Sequence, residues 1–284
     1  MFRKKTRPGD IVLITGASSG FGNACARHLS QKGYRVYGTS RRASFPPETI
    51  RQHADAPGFH LIPMDVRDQD SVNAGVAFIL EQAGRIDALI NNAGFVMAGA
   101  VEDLSIEEVN SQFATNFFGI LRVCRAVLPQ MRERRSGRII NISSLGGMMG
   151  VPFHGAYSAS KFALEGISES LRIEVKPFGI HVTLIEPGDF RTSATKNRVF
   201  AAKPAAESVY ADACGPAVAI MANDEQNGQP PEKLAVLVEK IIRHPKPKVR
   251  YSIGRMDQRF SLIAKRLLPA GLFEQMLMNY YKLG

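Results

Sequence analysis

Cysteine is scarce in this chain of 284 residues: Cys25, Cys124 and Cys214 are the only three. They stand far apart and are odd in number, so neither a disulfide framework nor a zinc spacing can be drawn from them. A reducing, cytoplasmic setting is expected. The histidines at 28, 53, 60, 154, 181 and 244 share no ligand spacing on a common face, and no metal site is expected. A run of about 18 apolar residues is missing, so no membrane-spanning helix is expected. The basic opening MFRKKTRPGD runs straight into a strand-like segment, without the apolar core of a signal peptide. No internal repeat or low-complexity linker interrupts the chain.

Hydrophobic residues make up 45% of the chain and charged residues 22%, ordinary values for a globular protein. The length suffices for one large α/β domain, or at most two small ones. The net charge of +10 is unevenly spread, with eleven Lys/Arg against four Asp/Glu in residues 232–284. Nucleic-acid binding and a solvated basic surface both fit such a balance. No nucleic-acid module accompanies it, so the surface reading is preferred.

Short β-branched runs alternate with longer helical patterns, the pattern of βαβ units and a parallel sheet. Strands are expected at Ile11–Thr15, Arg35–Ser40, His60–Asp65, Ala88–Asn91, Arg138–Ser143, His181–Glu186 and Val249–Gly254. The first helix places Phe21, Cys25 and Leu29 on one stripe. Another opens with the capping box Ser105-Ile-Glu-Glu108. Residues 189–232 are the least regular and form a candidate substrate-covering insertion. The expected architecture is a doubly wound Rossmann domain over 1–255, with helices on both faces of about seven strands, and a helical extension over 256–284.

The stretch TGASSGFG, residues 15–22, satisfies two motifs. Gly16-Ala-Ser18-Ser-Gly20 reads as the turn that presents a hydrolase's nucleophilic serine. The same residues read as T-G-x-x-x-G-x-G, a loop for a dinucleotide. The hydrolase elbow needs an oxyanion loop from an earlier strand, and only 17 residues precede Ser18. Strand, glycine turn and helix fit the second reading, because glycines admit a pyrophosphate closely and a helix N-terminus offers N–H groups. Gly16, Ser18, Ser19, Gly20, Phe21 and Gly22 are therefore the expected phosphate cradle.

Further motifs follow in order: Asn91-Asn92-Ala93-Gly94, Thr115-Asn116, Ile142-Ser143-Ser144, Tyr157-Ser-Ala-Ser-Lys161 and Glu186-Pro187-Gly188. Together they make the chain resemble the short-chain dehydrogenase/reductase family, over roughly residues 9–255. Tyr-x-x-x-Lys on a helix puts both side chains on one face. A phenol of pKa about 10 is a poor base, and a neighbouring ammonium with an oxidised nicotinamide would lower it. The resemblance implies that Tyr157 is the acid/base and that Lys161 lowers its pKa and holds the nicotinamide ribose. It also implies that Ser144 orients the carbonyl and Asn116 sustains a water relay. His154, three residues before Tyr157, either touches substrate or has no role.

At the end of the second strand, where NAD-type sites carry a carboxylate, this chain has Ser40-Arg41-Arg42. Guanidiniums suit a 2′-phosphate, so NADP(H) is the expected cofactor, with Arg41 the main binder. The resemblance further implies that Asp65, followed by Val66, bonds the adenine amino group. Asn92, Ala93 and Gly94 would line the adenine-ribose side. Pro187 and Gly188 would pack on the nicotinamide, with Phe190 and Thr192 at its carboxamide and the phosphates. Family members usually carry a small aliphatic residue where Phe190 stands.

Phe95, Val96, Met97, Met148, Met149, Val151 and Phe153 suggest an apolar pocket. With the extension, this looks like the hydroxysteroid and retinol dehydrogenase branch, acting on a lipophilic carbonyl or alcohol. Reduction of 3-oxoacyl or small carbonyl compounds is the alternative, as is a catalytically silent NADP-binding regulator. A homo-oligomer is expected. Phe260, Ile263, Ala264, Leu267 and Leu268, then Phe273, Met276, Leu277, Tyr280 and Tyr281, form two amphipathic stripes beside basic residues. Such helices could close over substrate, rest on an anionic membrane, or pack on the body or a partner subunit.

Overall fold

A computed structural model describes residues 9–41, 51–53 and 56–284; Arg42 lies outside them. The chain forms β1 (Ile11–Ile14), α1 (Gly20–Gln31), β2 (Arg35–Ser40), β3 (Arg51–His53), β4 (Ala56–Pro63) and α2 (Gln69–Ala83). It continues through β5 (Ala88–Asn91), β6 (Met97–Ala98), α3 (Ile106–Phe113), α4 (Gly119–Glu133), β7 (Gly137–Ile142), α5 (Gly155–Val175) and β8 (Ile180–Pro187). The last part holds β9 (Val199–Phe200), α6 (Ala211–Gln226), α7 (Glu232–Arg243), β10 (Arg250–Ile253), α8 (Met256–Leu267) and α9 (Ala270–Tyr281).

The main sheet runs β10-β8-β7-β5-β1-β2-β4-β3, with seven parallel strands and only β3 antiparallel on the edge. Alternation sends successive side chains of β1 to opposite faces. Ile11 and Leu13 pack with Val76 of α2, Val123 of α4 and Leu164 of α5. Val12 and Ile14 pack with Leu29 of α1 and Val238 of α7. A strand buried on both faces has no polar side, which is why β1 reads Ile-Val-Leu-Ile. Each such side chain contributes about 1.5–3 kcal/mol on burial. The Rossmann architecture is thus the one expected, extended by β3 and the small β6–β9 pair.

From β1 the chain winds outward through β2 and β4, then crosses to β5 on the other side of β1. The loops after β1 and β5 therefore diverge at a topological switch point, where open α/β sheets bind ligands. The capping box of α3 forms, with Ser105 Oγ accepting from Glu108 N at 3.1 Å and Glu108 Oε2 from Ser105 N at 2.8 Å. Within the stretch read as irregular lies a 16-residue helix, α6, with Pro216 inside it. Its alanine-rich sequence favours helix strongly enough to carry the proline.

Gly38 in β2 has no room for a side chain: a Cβ there would stand 2.5 Å from both Ala17 Cβ and the Phe59 ring. Gly38→Ala should cost about 1–3 kcal/mol through overpacking. Thermal unfolding followed by circular dichroism should show Tm lower by roughly 2–4 °C per kcal/mol; an unchanged Tm would contradict the packing described.

Candidate active site

The glycine loop links β1 to α1. Gly16 has φ +67°, and a Cβ there would meet Ala93 Cα at 2.9 Å. A Cβ on Gly22 would meet the Gly16 carbonyl oxygen at 2.3 Å. Both positions therefore require glycine. Ser19 caps α1 without a side-chain bond, and the first turn carries no acidic residue. The helix end keeps its N–H groups and its positive end for an anion, so the cradle fits a pyrophosphate. Ser18 and Ser19 are exposed at this mouth.

Several expected cofactor residues hold the cradle together. Thr15 Oγ1 accepts from Asn92 N and Ala93 N, both at 3.0 Å. Asn92 Nδ2 donates to the carbonyls of Thr15 and Gly16 at 2.9 and 3.0 Å. The Asn92 amide is thus committed to bracing the loop rather than standing open to a ribose. Arg41 is exposed after β2, whereas Ser40 and Val66 are buried. Asp65 is clasped by Arg67, whose Nη2 lies 2.6 Å from Oδ2, and this contact holds its carboxyl below the usual range. An adenine amino group would share that carboxylate with Arg67.

Asn116 sits in one turn of π-helix, Ala114–Phe118, between α3 and α4. It is fully buried; its Oδ1 accepts from Phe95 N at 3.1 Å and its Nδ2 donates to Phe95 O at 3.0 Å. Nδ2 also points to Ser160 Oγ at 3.4 Å, and Ser160 Oγ donates to Tyr157 O at 2.7 Å. Asn116 is therefore connected to the Tyr157 backbone through one serine. Ser144 opens the turn after β7, with Oγ accepting from Gly146 N at 3.0 Å. Its neighbour Ser143 is buried, as alternation requires.

Lys161 is 5% exposed, and its Nζ donates to Ile142 O at 2.7 Å. Nζ lies 5.8 Å from the centroid of the Tyr157 ring. Burial brings the lysine down to about 8. Burial pushes the Tyr157 phenol up to about 12, opposed by a bond with Ser144 and reinforced by the charges of Glu225 and Asp189. Sequence spacing implied a lowered phenol. In the protein without a positive nicotinamide beside it, desolvation is the largest influence on that phenol.

Ser144, Tyr157, Pro187, Gly188 and Phe190 line a cavity of about 380 Å³. Val96, Met149 and Val151 join its wall, but Phe95, Met97, Met148 and Phe153 do not. Met97 is buried in β6, on the opposite side of the strand from Val96. The wall is completed by Met221 of α6 and by Met276, Leu277, Tyr280 and Tyr281 of α9. Phe190 is buried edge-on to Phe21, with centroids 5.0 Å apart. Thr192 lies beside Gly20, at the phosphate end.

Three residues were missed or undervalued by sequence reasoning. His154 is buried and T-shaped to Tyr157, with centroids 6.2 Å apart. Asp189 and Gln258 meet in the cavity although 69 positions separate them: Gln258 Nε2 donates to Asp189 Oδ2, and Gln258 Oε1 accepts from Asp189 N at 3.1 Å. No local pattern signals that pair. Beyond the cavity wall, α8 and α9 leave Phe260, Ile263, Leu267 and Leu272 exposed, and Phe273 is their only buried residue. The two stripes therefore do not pack wholly on the body of the domain.

A family model described as short chain dehydrogenase matches residues 10–202. The chain belongs to the short-chain dehydrogenase/reductase family. It is 44% identical to a 3-ketodihydrosphingosine reductase of Bacteroides thetaiotaomicron, over 95% of this chain and 97% of that one. It is 38% identical to 17-beta-hydroxysteroid dehydrogenase type 1 of Mus musculus, over 85% of this chain and 72% of that one. The crystal structure of a short-chain dehydrogenase from Streptomyces avermitilis matches with a TM-score of 0.80 at 34% identity, covering 98% of both chains. Membership makes the protein an oxidoreductase, and the likeness to the hydroxysteroid branch agrees with the resemblance read from the motifs.

Proposed function

We propose that the protein is an NADP(H)-dependent reductase of lipophilic ketones, working through Tyr157, Lys161 and Ser144. The observation that carries this reading is the cavity. Ser144 and Tyr157 bound it together, and methionine, leucine and aromatic side chains share the remaining wall with Asp189, Asp224, Glu225 and Asp257. The first of the relatives above is named for a lipid-like ketone, and the second for a hydroxysteroid.

The glycine cradle, Arg41, Asp65 and the Pro187-Gly188 turn would hold the cofactor. When bound, it supplies the hydride and, in its oxidised form, a positive ring. Ser144 Oγ then donates to the carbonyl oxygen and stabilises charge developing there. Tyr157, neutral at physiological pH, gives its proton to that oxygen and is left as phenolate. The Lys161 ammonium steadies that phenolate. A neutral phenol is the form that reduction requires.

Arg41 stands where a 2′-phosphate would need a cation. Arg41→Asp should weaken NADPH binding about 10–150-fold, the loss of one charge-assisted contact, with far less effect on NADH. Fluorescence titration of both cofactors checks this, and an equal loss for both would refute the assignment.

Tyr157→Phe should keep NADPH binding and abolish nearly all turnover of a long-chain ketone. Ser144→Ala should lower kcat about 10²–10³-fold. Steady-state absorbance at the nicotinamide band measures both, and substantial activity in Tyr157→Phe would sink the mechanism.

A membrane surface is the proposed partner of the tail. Phe260, Leu267 and Leu272 are 57%, 74% and 61% exposed, and Arg259, Lys265 and Arg266 lie beside them. Apolar side chains ringed by cations suit an anionic bilayer. Replacing all three apolar residues by serine should abolish co-sedimentation with phosphatidylserine vesicles. Undiminished sedimentation would refute the surface, and dissociation of a dimer would assign it to a second copy.

A further inference from the structure

Helix α5 carries more ionisable groups than the reduction uses. Tyr157, Lys161, Glu165 and Glu169 follow one another at four-residue intervals along it, so they share one face, a turn apart. Tyr157 and Lys161 belong to the site, and Glu169 is half-exposed at the far end. Glu165 sits between them, only 5% exposed, one turn from the buried lysine.

A second buried carboxylate stands beside it. Glu186, near the end of β8, is 2% exposed. Arg250 of β10 approaches both with the same nitrogen: its Nε lies 2.9 Å from Glu165 Oε2 and 3.2 Å from Glu186 Oε1. Its Nη2 goes on to Glu169 Oε1 at 2.6 Å, and Ser252 Oγ donates to the other oxygen of Glu186 at 2.6 Å. One N–H cannot serve two oxygens fully, and Glu165 Oε1 and Glu186 Oε1 have no hydrogen-bond partner among the described residues. Glu169 is solvated, so two buried carboxylates stand against one guanidinium. Like charges held in one site raise each other unless a further cation is near. Burial raises the Glu165 carboxyl and Ser143 opposes it; Glu186 then adds to the rise and Arg250 counters it.

Lys161 has the complementary need. Its ammonium is buried, and its Nζ donates to a neutral carbonyl, that of Ile142. The charge of Glu165 favours that ammonium against the burial that would strip its proton. We infer that Glu165 is a positioning residue of the reduction: with Glu186 beside it and Arg250 between them, it supplies the net negative charge that keeps Lys161 an ammonium against the Tyr157 phenol. The inference rests on the reductase reading and adds to it the group that sets the lysine's charge. A carboxylate bonded to Arg250 alone would be a clasp for the edge strand β10; the surplus carboxylate makes the cluster an electrostatic partner of Lys161. The other ionisable groups around α5 stand apart from it. The turns Ala114–Phe118 and Leu145–Gly147, packed against α5, bring none. Glu107 and Glu108 belong to the capped first turn of α3, and His181 and Lys176 lie toward the opposite ends of β8 and α5. Asp189 and Glu225 act on Tyr157 from across the cavity.

The test is the pH profile of kcat for reduction of a long-chain ketone with NADPH. Burial brings Lys161 down to about 8, so activity that needs the ammonium falls as pH rises through that region. Glu165→Gln removes a negative neighbour, so the fall should move to lower pH by about 1 unit or more, with the plateau below it retained. Glu165→Asp keeps the charge and should return the midpoint most of the way. Tyr157, at about 12, stays protonated across this range, and Asp189 and His154 titrate below it, at about 6 and about 3. A mere clasp predicts a lower Tm and an unmoved midpoint in Glu165→Gln, and that result would overturn the inference while leaving the reductase reading standing. Coupling is reciprocal, so Lys161→Met should raise the carboxyl pair and bring a protonated carboxyl band into its infrared difference spectrum against wild type at pH 7. That measurement needs no turnover and decides the matter should Glu165→Gln fail to fold; a spectrum without the band would overturn the coupling. Turnover of no ketone by the wild type would overturn the reductase reading, and the infrared spectrum would then judge the Lys161–Glu165 pair alone.

Discussion

The Lys161 ammonium is buried and donates its 2.7 Å bond to the carbonyl of Ile142, the last residue of β7. That bond ties the first turns of α5 to the end of a central strand. Tyr157 lies one helical turn before Lys161, and Ser144 two residues after Ile142. Tyr157, Lys161 and Ser144 therefore share one backbone anchor. The approach is close: a Cβ on Gly147 would stand 3.1 Å from Lys161 Cβ and 2.8 Å from Ser143 Oγ. Desolvation is the cost, felt as the lowered lysine and raised phenol, and both shifts move the groups toward neutrality.

The cofactor side has its own anchor at the switch point. Thr15 directly follows β1 and accepts two backbone N–H groups from the turn after β5, while Asn92 returns two bonds to the carbonyls of Thr15 and Gly16. Such reciprocal bonds fix the two loops against each other, so little ordering remains to be done when a dinucleotide arrives. The parallel register of β5 with β7, pairing Asn91 with Asn141, then sets this cradle beside the Ser144 turn.

Legibility in the sequence followed the range of the interaction. The seven parallel strands were readable because strands buried on both faces are rich in apolar residues, most completely in β1. The glycine loop and Tyr157–Lys161 were readable because their chemistry fits within five to eight residues. Helix α6 was obscured by Pro216 and by its polar end Asn-Asp-Glu-Gln, both weak local signals against a long alanine-rich segment. The cavity wall was half legible: Val96 and Met97 are neighbours, but alternation sends one to the cavity and the other to the core. The raised Tyr157 phenol was not legible, because a sequence carries charge pairs but no measure of desolvation. Asp189 and Gln258 were invisible for the same reason that they matter, being a contact between the loop after β8 and a helix near the chain's end.

That contact makes the tail part of the site. Gln258 accepts from Asp189 N and from Arg255 N at 3.3 Å, so the start of α8 is bonded to the turn that follows Gly188. A Cβ on Gly188 would stand 2.3 Å from Gln258 Oε1, which leaves glycine as the residue that lets α8 dock there. From this hinge, α9 returns Met276, Leu277, Tyr280 and Tyr281 to the cavity, while Leu272 and the α8 stripe remain at the surface. One pair of helices thus carries both the inner wall of the substrate cavity and the exposed apolar face.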